Sequence, residues 1–292
     1  MTQKPPVPPA PVAIEPGLHL IATPIGAARD ITLRALDLLA GCDVLAAEDT
    51  RSLRHLMELH GLRPGGRPLL AYHDHNGAKM RPRLLAALTE GKSVVYAAEA
   101  GTPMVADPGY QLAREAIAAG LPVHSAPGPS AMLAALTLSG LPSDRFCFLG
   151  FAPASAGARR RFLQEAAAIP ATLILYESPK RVSRLLGELC EIAGGDRPAA
   201  LCRELTKKHE EVIRMPLAEL EQDIRDRSLR GEIVLVIGRG IQAVAGPETL
   251  DQALDVALRD MRLKEAVAHV AQMLDLPRRQ VYQAALEKEK PQ

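Results

Sequence analysis

Tryptophan is absent from this 292-residue chain, and aromatic residues make up only 3% of it. This scarcity argues against a platform of stacked aromatic rings for single-stranded nucleic acid. The apolar fraction is nevertheless 47%, so the core must be built from Leu, Val, Ile and Ala. Because the chain is longer than one hydrophobic core usually serves, we expect two packed units.

Cysteine and long apolar runs are also scarce. The four cysteines are scattered, with no CxxC pair and no histidine at the spacing of zinc ligands. Their apolar neighbours indicate buried, reduced thiols, and we expect no bound metal. No apolar run reaches the length of a transmembrane helix. Residues 1–16 are rich in proline and lack the apolar centre of a signal peptide, so we predict a disordered tail and a cytoplasmic protein.

The small net charge and the absence of nucleotide-binding motifs argue against further classes of protein. The formal net charge is only +1, so any basic surface for RNA must be local. No Gly-x-x-x-x-Gly-Lys-Ser/Thr motif is present, which disfavours a triphosphate held by a P-loop. No Gly-x-Gly-x-x-Gly follows a predicted strand either, so a nicotinamide-dependent enzyme is a remote alternative.

The alternation of short apolar runs with helical patterns predicts an α/β fold of two α/β domains. Residues 17–128 are expected to form an N-terminal domain with a mostly parallel sheet. Residues 129–240 are expected to form a C-terminal domain with a mixed sheet, because the strand candidate near residues 211–213 follows its neighbour without a long crossover. After a linker at residues 241–246, residues 247–292 predict a small helix-turn-helix-like module. The alternative is a helical hairpin that only caps the core.

One stretch, residues 94–109, organises the N-terminal domain. It begins as a buried strand at Val94-Val95-Tyr96 and then changes to small residues, glycine and two prolines. A helical pattern follows at once. The loop therefore lies just past the carboxyl end of a strand, where open α/β sheets place their ligands.

Six further polar or Gly/Pro-rich loops are predicted at the carboxyl ends of strands. Together they would form a deep cleft that offers carboxylates, backbone amides and short apolar side chains. That mixture suits a zwitterionic, partly apolar cofactor with an adenine at one end. The loops are residues 23–26, 48–51, 73–76, 127–130, 177–181 and 203–207, beside residues 99–107.

These loops carry a series of motifs in a fixed order. They are Ala22-Thr23-Pro24-Ile25-Gly26, Glu48-Asp49-Thr50-Arg51, Tyr72-His73-Asp74-His75-Asn76, Ala100-Gly101-Thr102-Pro103, Asp107-Pro108-Gly109, Pro127-Gly128-Pro129-Ser130-Ala131, Tyr176-Glu177-Ser178-Pro179, Arg203-Glu204-Leu205-Thr206-Lys207 and Gly231-Glu232. With them, the chain resembles the tetrapyrrole methylase superfamily. Within it, the chain is similar to the bacterial enzymes that methylate the ribose 2′-oxygen of a cytidine, cytidine-1402, in the decoding region of 16S rRNA.

The resemblance implies S-adenosylmethionine folded into a cleft between two domains, and a homodimer. It also implies a set of cofactor-binding residues, most of which would present backbone to the ligand. They are Pro24, Ala100, Gly101, Thr102, Val105, Ala106, Ala131, Tyr176, Arg203, Glu204, Leu205 and Gly231.

The chain departs from the family pattern at several side chains. Ala98-Glu99 replaces the usual Ser-Asp, Ala27 replaces Asn, and Lys180 replaces His. Ala154-Ser155 stands where a lysine is usual. The glycines and prolines of the cofactor loops are retained.

Transfer of a methyl group to a ribose hydroxyl calls for a proton acceptor. Glu48 or Asp49 is the candidate base, with His73 as a second candidate and Arg51 as a phosphate ligand. The alternative for Glu48 and Asp49 is that they cap the following helix.

RNA recognition would need local positive charge, although a run of charge is most often a solvated face. The candidate RNA-binding residues are Arg159, Arg160, Arg161, Lys180, Arg181, Lys207, Arg278 and Arg279.

Two other functions stay open at this point. The same fold could methylate a tetrapyrrole such as a precorrin or uroporphyrinogen. Alternatively, the chain could be a non-catalytic RNA- or DNA-binding protein that uses its C-terminal helices.

Overall fold

A computed structural model describes residues 13–105, 109–240, 247–274 and 276–289. The chain divides into two compact units, the first ending at Gly238 and the second beginning at Arg239. The predicted linker at residues 241–246 and most of the predicted tail lie outside the described residues.

The first sheet, predicted to be mostly parallel, is parallel at every strand pair. Its three inner strands are buried along their whole length, which explains why their residues are mostly apolar. The strands are β1 (Gly17–Ile21), β2 (Val44–Ala47), β3 (Leu69–Ala71), β4 (Ser93–Ala97) and β5 (Val123–Ala126), in the order β3-β2-β4-β1-β5.

Helices cover both faces of this sheet because successive strand residues point to opposite sides. The helices are α1 (Leu33–Gly41), α2 (Thr50–Leu59), α3 (Gly77–Thr89) and α4 (Tyr110–Ala118). Leu45 packs on one face with α1 and α2, whereas Val44 packs on the other with α3 and α4. Ala28–Asp30 forms a short 3-10 turn before α1.

The second sheet is mixed, which confirms the predicted fold class. The strands are β6 (Phe146–Phe151), β7 (Thr172–Glu177), β8 (Pro198–Arg203), β9 (Glu211–Pro216) and β10 (Ile233–Ile237), in the order β6-β7-β10-β8-β9. The helices are α5 (Ala131–Ser139), α6 (Ala156–Ala167), α7 (Val182–Ala193) and α8 (Leu217–Arg225). Only β6 and β7 pair in parallel, and the other three pairs are antiparallel. One face is covered by α6, α7 and α8, and the other by α5.

The described residues of the second unit form three helices, α9 (Pro247–Asp260), α10 (Leu263–Met273) and α11 (Arg278–Glu289). The sequence pattern predicted the last two as a pair and did not resolve α9 as a separate helix. Leu254, Val270 and Val281, one from each helix, are fully buried together. The unit therefore has a core of its own.

The four cysteines are free thiols, and Cys42 and Cys202 are buried. Burial raises the pKa of each of these two to about 11, so both are protonated at neutral pH. Burial was predicted for all four cysteines; Cys42 and Cys202 meet that prediction, whereas Cys147 and Cys190 are only half-buried. Within the described ranges, no group of three His, Cys, Asp or Glu side chains could hold a metal ion. None of the helices in those ranges is long and apolar enough to cross a membrane.

Candidate active site

Two loops at the carboxyl edge of the first sheet are joined to each other. Thr23 and Gly101 exchange backbone hydrogen bonds of 2.9 and 3.0 Å, forming an isolated bridge between the loops after β1 and β4. The Thr23 hydroxyl also donates to the Ala98 carbonyl at 3.2 Å. These bonds satisfy the backbone groups of Thr23 and Gly101 and fix the two loops to each other at this point.

Glycine is required at the centre of this arrangement. Gly101 has a φ of +80°, in the left-handed region that other residues rarely occupy. The following Thr102 hydroxyl donates to the Pro129 carbonyl at 2.9 Å, which attaches a third loop, the one that precedes α5. The predicted organising stretch therefore does hold its neighbouring loops together.

The facing wall comes from the second sheet. Tyr176, near the end of β7, contacts the rings of Phe148 and Phe151 at centroid distances of 4.9 and 5.6 Å. The next residue, Glu177, is buried, and its Oε1 accepts a hydrogen bond from its neighbour's backbone amide, that of Ser178. The wall thus combines an aromatic face with a buried carboxylate.

Between these walls lies a cleft of about 600 Å³, within the range of cavities that bind a drug-sized ligand. Eight of the twelve residues expected to bind the cofactor line it: Pro24, Ala100, Gly101, Thr102, Val105, Ala131, Tyr176 and Gly231.

The chemistry of the cleft fits S-adenosylmethionine. Ser130 Oγ is buried and accepts or donates no hydrogen bond among the described residues. Glu177 Oε2 lies 3.2 Å from Arg181 Nη2 but likewise makes no hydrogen bond to the described residues. Buried polar atoms of this kind require a partner, and an amino-acid zwitterion with an adenosine supplies both donors and acceptors.

Three of the expected cofactor residues do not line the cleft, and a fourth, Ala106, lies outside the described residues. Arg203 is bound to Glu211 at 3.0 Å, and Leu205 is buried in the core between α5 and the second sheet. Glu204 accepts from Lys207 Nζ at 2.9 Å and from the Glu232 backbone amide at 3.0 Å. These residues support the wall from behind.

Several lining residues were missed although their motifs were recognised. Gly26, Ser130 and Lys207 stand inside the quoted motifs, but none had been assigned to the cofactor. Attention to whole loops would have found them. The cleft is also lined by Ile25, Ser52, Glu99, Phe151, Glu177, Ser178, Pro179, Glu232, Ile233 and Val234.

Two of the candidate bases lie near one another at this edge. Glu48 is half-buried, and its Oε2 accepts the Glu99 backbone amide at 3.2 Å. Burial, with smaller contributions from the charges of Glu99 and Asp74, raises the pKa of Glu48. His73 follows β3 and interacts electrostatically with Glu48, and its buried Nδ1 makes no hydrogen bond to the described residues.

Asp49 and Arg51 differ from these two. Asp49 caps α2, accepting the backbone amides of Arg51 and Ser52 at 2.7 and 3.4 Å. These bonds, the one from Arg51 first, hold the pKa of Asp49 below its usual value. The capping alternative therefore describes Asp49. The Arg51 side chain is 90% exposed, with its Nε 3.7 Å from Asp49 Oδ1.

The candidate RNA-binding cations divide by exposure. Arg160 and Arg161 on α6 are exposed, as are Lys180 and the two arginines that open α11, Arg278 and Arg279. Lys207 is half-buried between Glu204 and Glu232, and Arg181 binds Glu177 and the Ala152 carbonyl.

Arg159 does not fit the expected role. It is only 3% exposed and makes two hydrogen bonds to the Glu188 carboxylate, of 2.8 and 2.7 Å. It also donates to the Ala154 carbonyl at 2.8 Å. Three consecutive residues on a helix point in different directions, and here Arg159 points into the protein while Arg160 and Arg161 point outward. The run of arginines in the sequence does not show which of the three is buried. We leave Arg159 out of the RNA-binding set.

The sequence matches two known protein families and several named relatives. Residues 17–221 match the family of tetrapyrrole (corrin/porphyrin) methylases, and residues 244–289 match the RsmI C-terminal HTH domain. The chain is 45% identical over 275 residues to ribosomal RNA small subunit methyltransferase I of Mesorhizobium japonicum, covering 94% of this chain and 92% of the relative. It is 40% identical to the protein of the same name from Pseudomonas aeruginosa, covering 93% and 97% respectively.

A solved structure shares the fold at low sequence identity. Uroporphyrin-III C-methyltransferase from Thermus thermophilus, crystallised with S-adenosylhomocysteine, matches with a TM-score of 0.54 and 20% identity. The match covers 77% of this chain and 99% of that one.

Proposed function

The chain belongs to the family of tetrapyrrole (corrin/porphyrin) methylases, and from that membership we propose that it is an S-adenosylmethionine-dependent methyltransferase of small-subunit ribosomal RNA. The target we propose is the ribose 2′-oxygen of cytidine-1402 in the decoding region of 16S rRNA. We further propose that the protein works in the cytoplasm as a homodimer.

The observation that carries the choice of RNA over a tetrapyrrole is the similarity along the whole chain. It includes the C-terminal helical module, which is matched by its own family model over residues 244–289. The tetrapyrrole methylase compared above covers only 77% of this chain. Eight of the residues expected to bind the cofactor line the same cleft. This supports an active enzyme over a non-catalytic RNA-binding protein.

S-adenosylmethionine, when bound, supplies an electrophilic methyl group on its sulfonium. Gly101, Ala131 and Gly231 would allow it to approach the backbone closely, and Glu177 and Ser130 would meet its polar groups. The fixed loops orient the ligand, and orientation supplies much of the rate in such displacements.

The ribose hydroxyl must lose its proton as the new O–C bond forms. We propose Glu48 as the proton acceptor, because its pKa is raised and Asp49 is committed to the helix cap. His73 is the second candidate. Arg51 would hold a phosphate of the RNA, since its guanidinium extends into solvent.

The experiment uses the purified full chain with labelled S-adenosylmethionine and small ribosomal subunits from a strain that lacks the modification. We expect label on a single ribose, mapped to cytidine-1402. Uroporphyrinogen III in place of subunits should accept no label. Label on the tetrapyrrole, or tight RNA binding without measurable donor binding, would contradict the proposal.

A further inference from the structure

A second cavity, of about 280 Å³, adjoins the cleft. It is a groove between α2 and the loop that follows β1. Pro24, Gly26, Ser52 and Glu99 line both the cleft and this groove. A molecule in the groove would therefore lie next to a molecule in the cleft, at the wall that the two cavities share.

One face of α2 forms a wall of the groove. Ser52, His55, Leu56 and Leu59 all line it, and their spacing of i, i+3, i+4 and i+7 places them on one side of the helix. The opposite face holds Met57 in the core. This stripe remains open in the described structure, with Leu59 55% exposed.

The far part of the groove is fixed by a hydrogen bond. His60 Nε2 lies 2.9 Å from the Ala28 carbonyl oxygen, joining the end of α2 to the loop, and Ala28 itself lines the groove. The loop is held at a second point, where the Thr206 hydroxyl accepts the Ala27 backbone amide at 3.1 Å. The groove is therefore formed in advance of any substrate.

The size and lining of the groove limit its occupant. Its volume lies just below the range of about 300–1,000 Å³ that is typical of small-molecule sites, which suits one nucleoside and is small for a macrocycle. Leucine side chains offer a surface for the flat face of a base, whereas Ser52, His55 and Glu99 offer hydrogen-bonding groups. Unpaired RNA bases are recognised by stacking on aromatic rings, histidine among them, together with hydrogen bonds to their edges. His55 and Glu99 offer one group of each kind in this groove.

We propose that this groove binds the unpaired nucleoside whose ribose is methylated, with its base along Leu56 and Leu59. The inference rests on the proposed function. The ribose lies at the shared wall of Pro24 and Gly26, which brings its 2′-oxygen to the cleft. The Glu99 carboxylate accepts a hydrogen bond from the exocyclic amino group of cytosine, as carboxylates do from that group elsewhere.

The first test fills the groove. Leu56→Trp should lower kcat/KM for unmodified small subunits about 100-fold, because a small displacement of the reacting oxygen has an effect of that order. The affinity for S-adenosylmethionine, measured by calorimetry, should stay within about twofold of wild type because only the neighbouring cleft binds it. Leu59→Trp provides the same test from an exposed position if Leu56→Trp does not fold.

The matched control is Ile117→Trp. Ile117 is exposed on α4, which packs on the opposite face of the first sheet from α2. This variant should methylate subunits like wild type. If the wild type is active and both groove variants have the same kcat/KM as the wild type, the inference is wrong. If they change self-association in sedimentation without changing kcat/KM, the groove is instead an interface between copies.

The second test concerns recognition of the cytosine ring. Glu99→Gln should reduce the preference for cytidine over uridine at the target position by about tenfold, because an amide can donate to the uracil carbonyl. An unchanged preference would remove Glu99 from base recognition. Failure of the wild type to label any rRNA ribose would instead refute the proposed function, so the two failures are distinguishable.

Discussion

The two sheets end at one cleft, but their edges are built differently. At the first edge, loops are joined by backbone hydrogen bonds such as those between Thr23 and Gly101, and burial raises the pKa of Glu48. At the second edge, Glu204 is held by Lys207, which lowers the pKa of its carboxyl. The difference indicates that the first edge supplies a group able to accept a proton, whereas the second supplies a rigid wall.

Ion pairs behind the second edge strengthen this contrast. Glu211 binds both Arg203 and Arg227, and these contacts, that of Arg227 first, lower its pKa. A carboxylate that is stabilised in its charged form is a poor base at neutral pH. The comparison predicts that substitutions at the first edge affect chemistry and those in the second half affect stability or donor binding.

The largest effect is expected at the first edge. Glu48→Gln should lower kcat for rRNA methylation by a factor of about 10² to 10⁴, the usual contribution of a general base. Donor affinity should be unchanged. Single-turnover transfer of labelled methyl to unmodified subunits measures the effect.

The pH profile sharpens this prediction. Since a base must be deprotonated to act, wild-type activity should fall as the pH drops through the pKa of Glu48, which lies above its ordinary value. The glutamine variant should lose that limb of the profile. A Glu48→Gln enzyme with wild-type kcat and pH profile would move the role to His73.

In the second half, Arg159→Ala should lower the free energy of unfolding by about 3 kcal/mol. The substitution leaves Glu188 without its main partner in a largely buried position, and Arg184 at 3.3 Å compensates only in part. Urea denaturation measures it. Arg160→Ala, which breaks an exposed pair with Glu191, is the control and should cost less than about 1 kcal/mol.

The pH dependence of the Arg159 effect has a defined sign. Hydrogen bonds from Arg159, the largest cause, lower the pKa of Glu188 in the folded protein. The stabilisation is therefore present above the unfolded carboxyl pKa and is lost as the pH falls through the folded value. Equal stability of variant and wild type at neutral pH would show that Arg159 is not the anchor described here.

A smaller effect is expected where the second edge lines the cleft. Gly231 has a φ of +90°, and an added Cβ would collide with Glu204 Oε1. Gly231→Ala should therefore displace the wall and weaken donor binding by about tenfold, with strain of 1–3 kcal/mol as the physical basis. Calorimetry with S-adenosylhomocysteine measures it. Unchanged affinity would mean that the wall does not contact the donor.

The smallest effect is expected on the exposed face of α6. Arg161→Glu should weaken RNA binding and reduce the slope of log K against log salt by about 1, with donor affinity intact. A salt series of RNA titrations gives the slope. An unchanged slope would remove α6 from the RNA-binding surface and leave the arginines of α11 as the remaining exposed pair.

Most of the fold could be predicted from the sequence. The apolar runs at β1 and β4 and the turn residues between elements are local features, so strand and helix placement followed to within a few residues. The extent of β9 was underestimated, since Pro216 still pairs with Pro198 at its end. Helix α9 was not separated from its charged surroundings, because its apolar positions are interspersed with acidic and basic ones.

The candidate site was predicted in part. Small residues such as Gly101 and Ala131 line the cleft because their loops must lie close to a ligand, and that requirement is visible in the sequence. The roles of Arg203 and Glu204 were not, because Arg203 pairs with Glu211 on the neighbouring strand and Glu204 accepts a hydrogen bond from another loop. Glu204 meets Glu232, which is 28 positions away.

The sequence by itself determined the order of strands and helices, the parallel first sheet and the loops that face the ligand, because these depend on local periodicity and turn chemistry. Only the tertiary structure decided which charged groups are anchors and which remain available. Arg159 turns inward to Glu188, and Thr206 meets Ala27 across 179 positions of chain. The physical reason is that the environment of a charge is set by residues brought together on folding, and no local pattern encodes it.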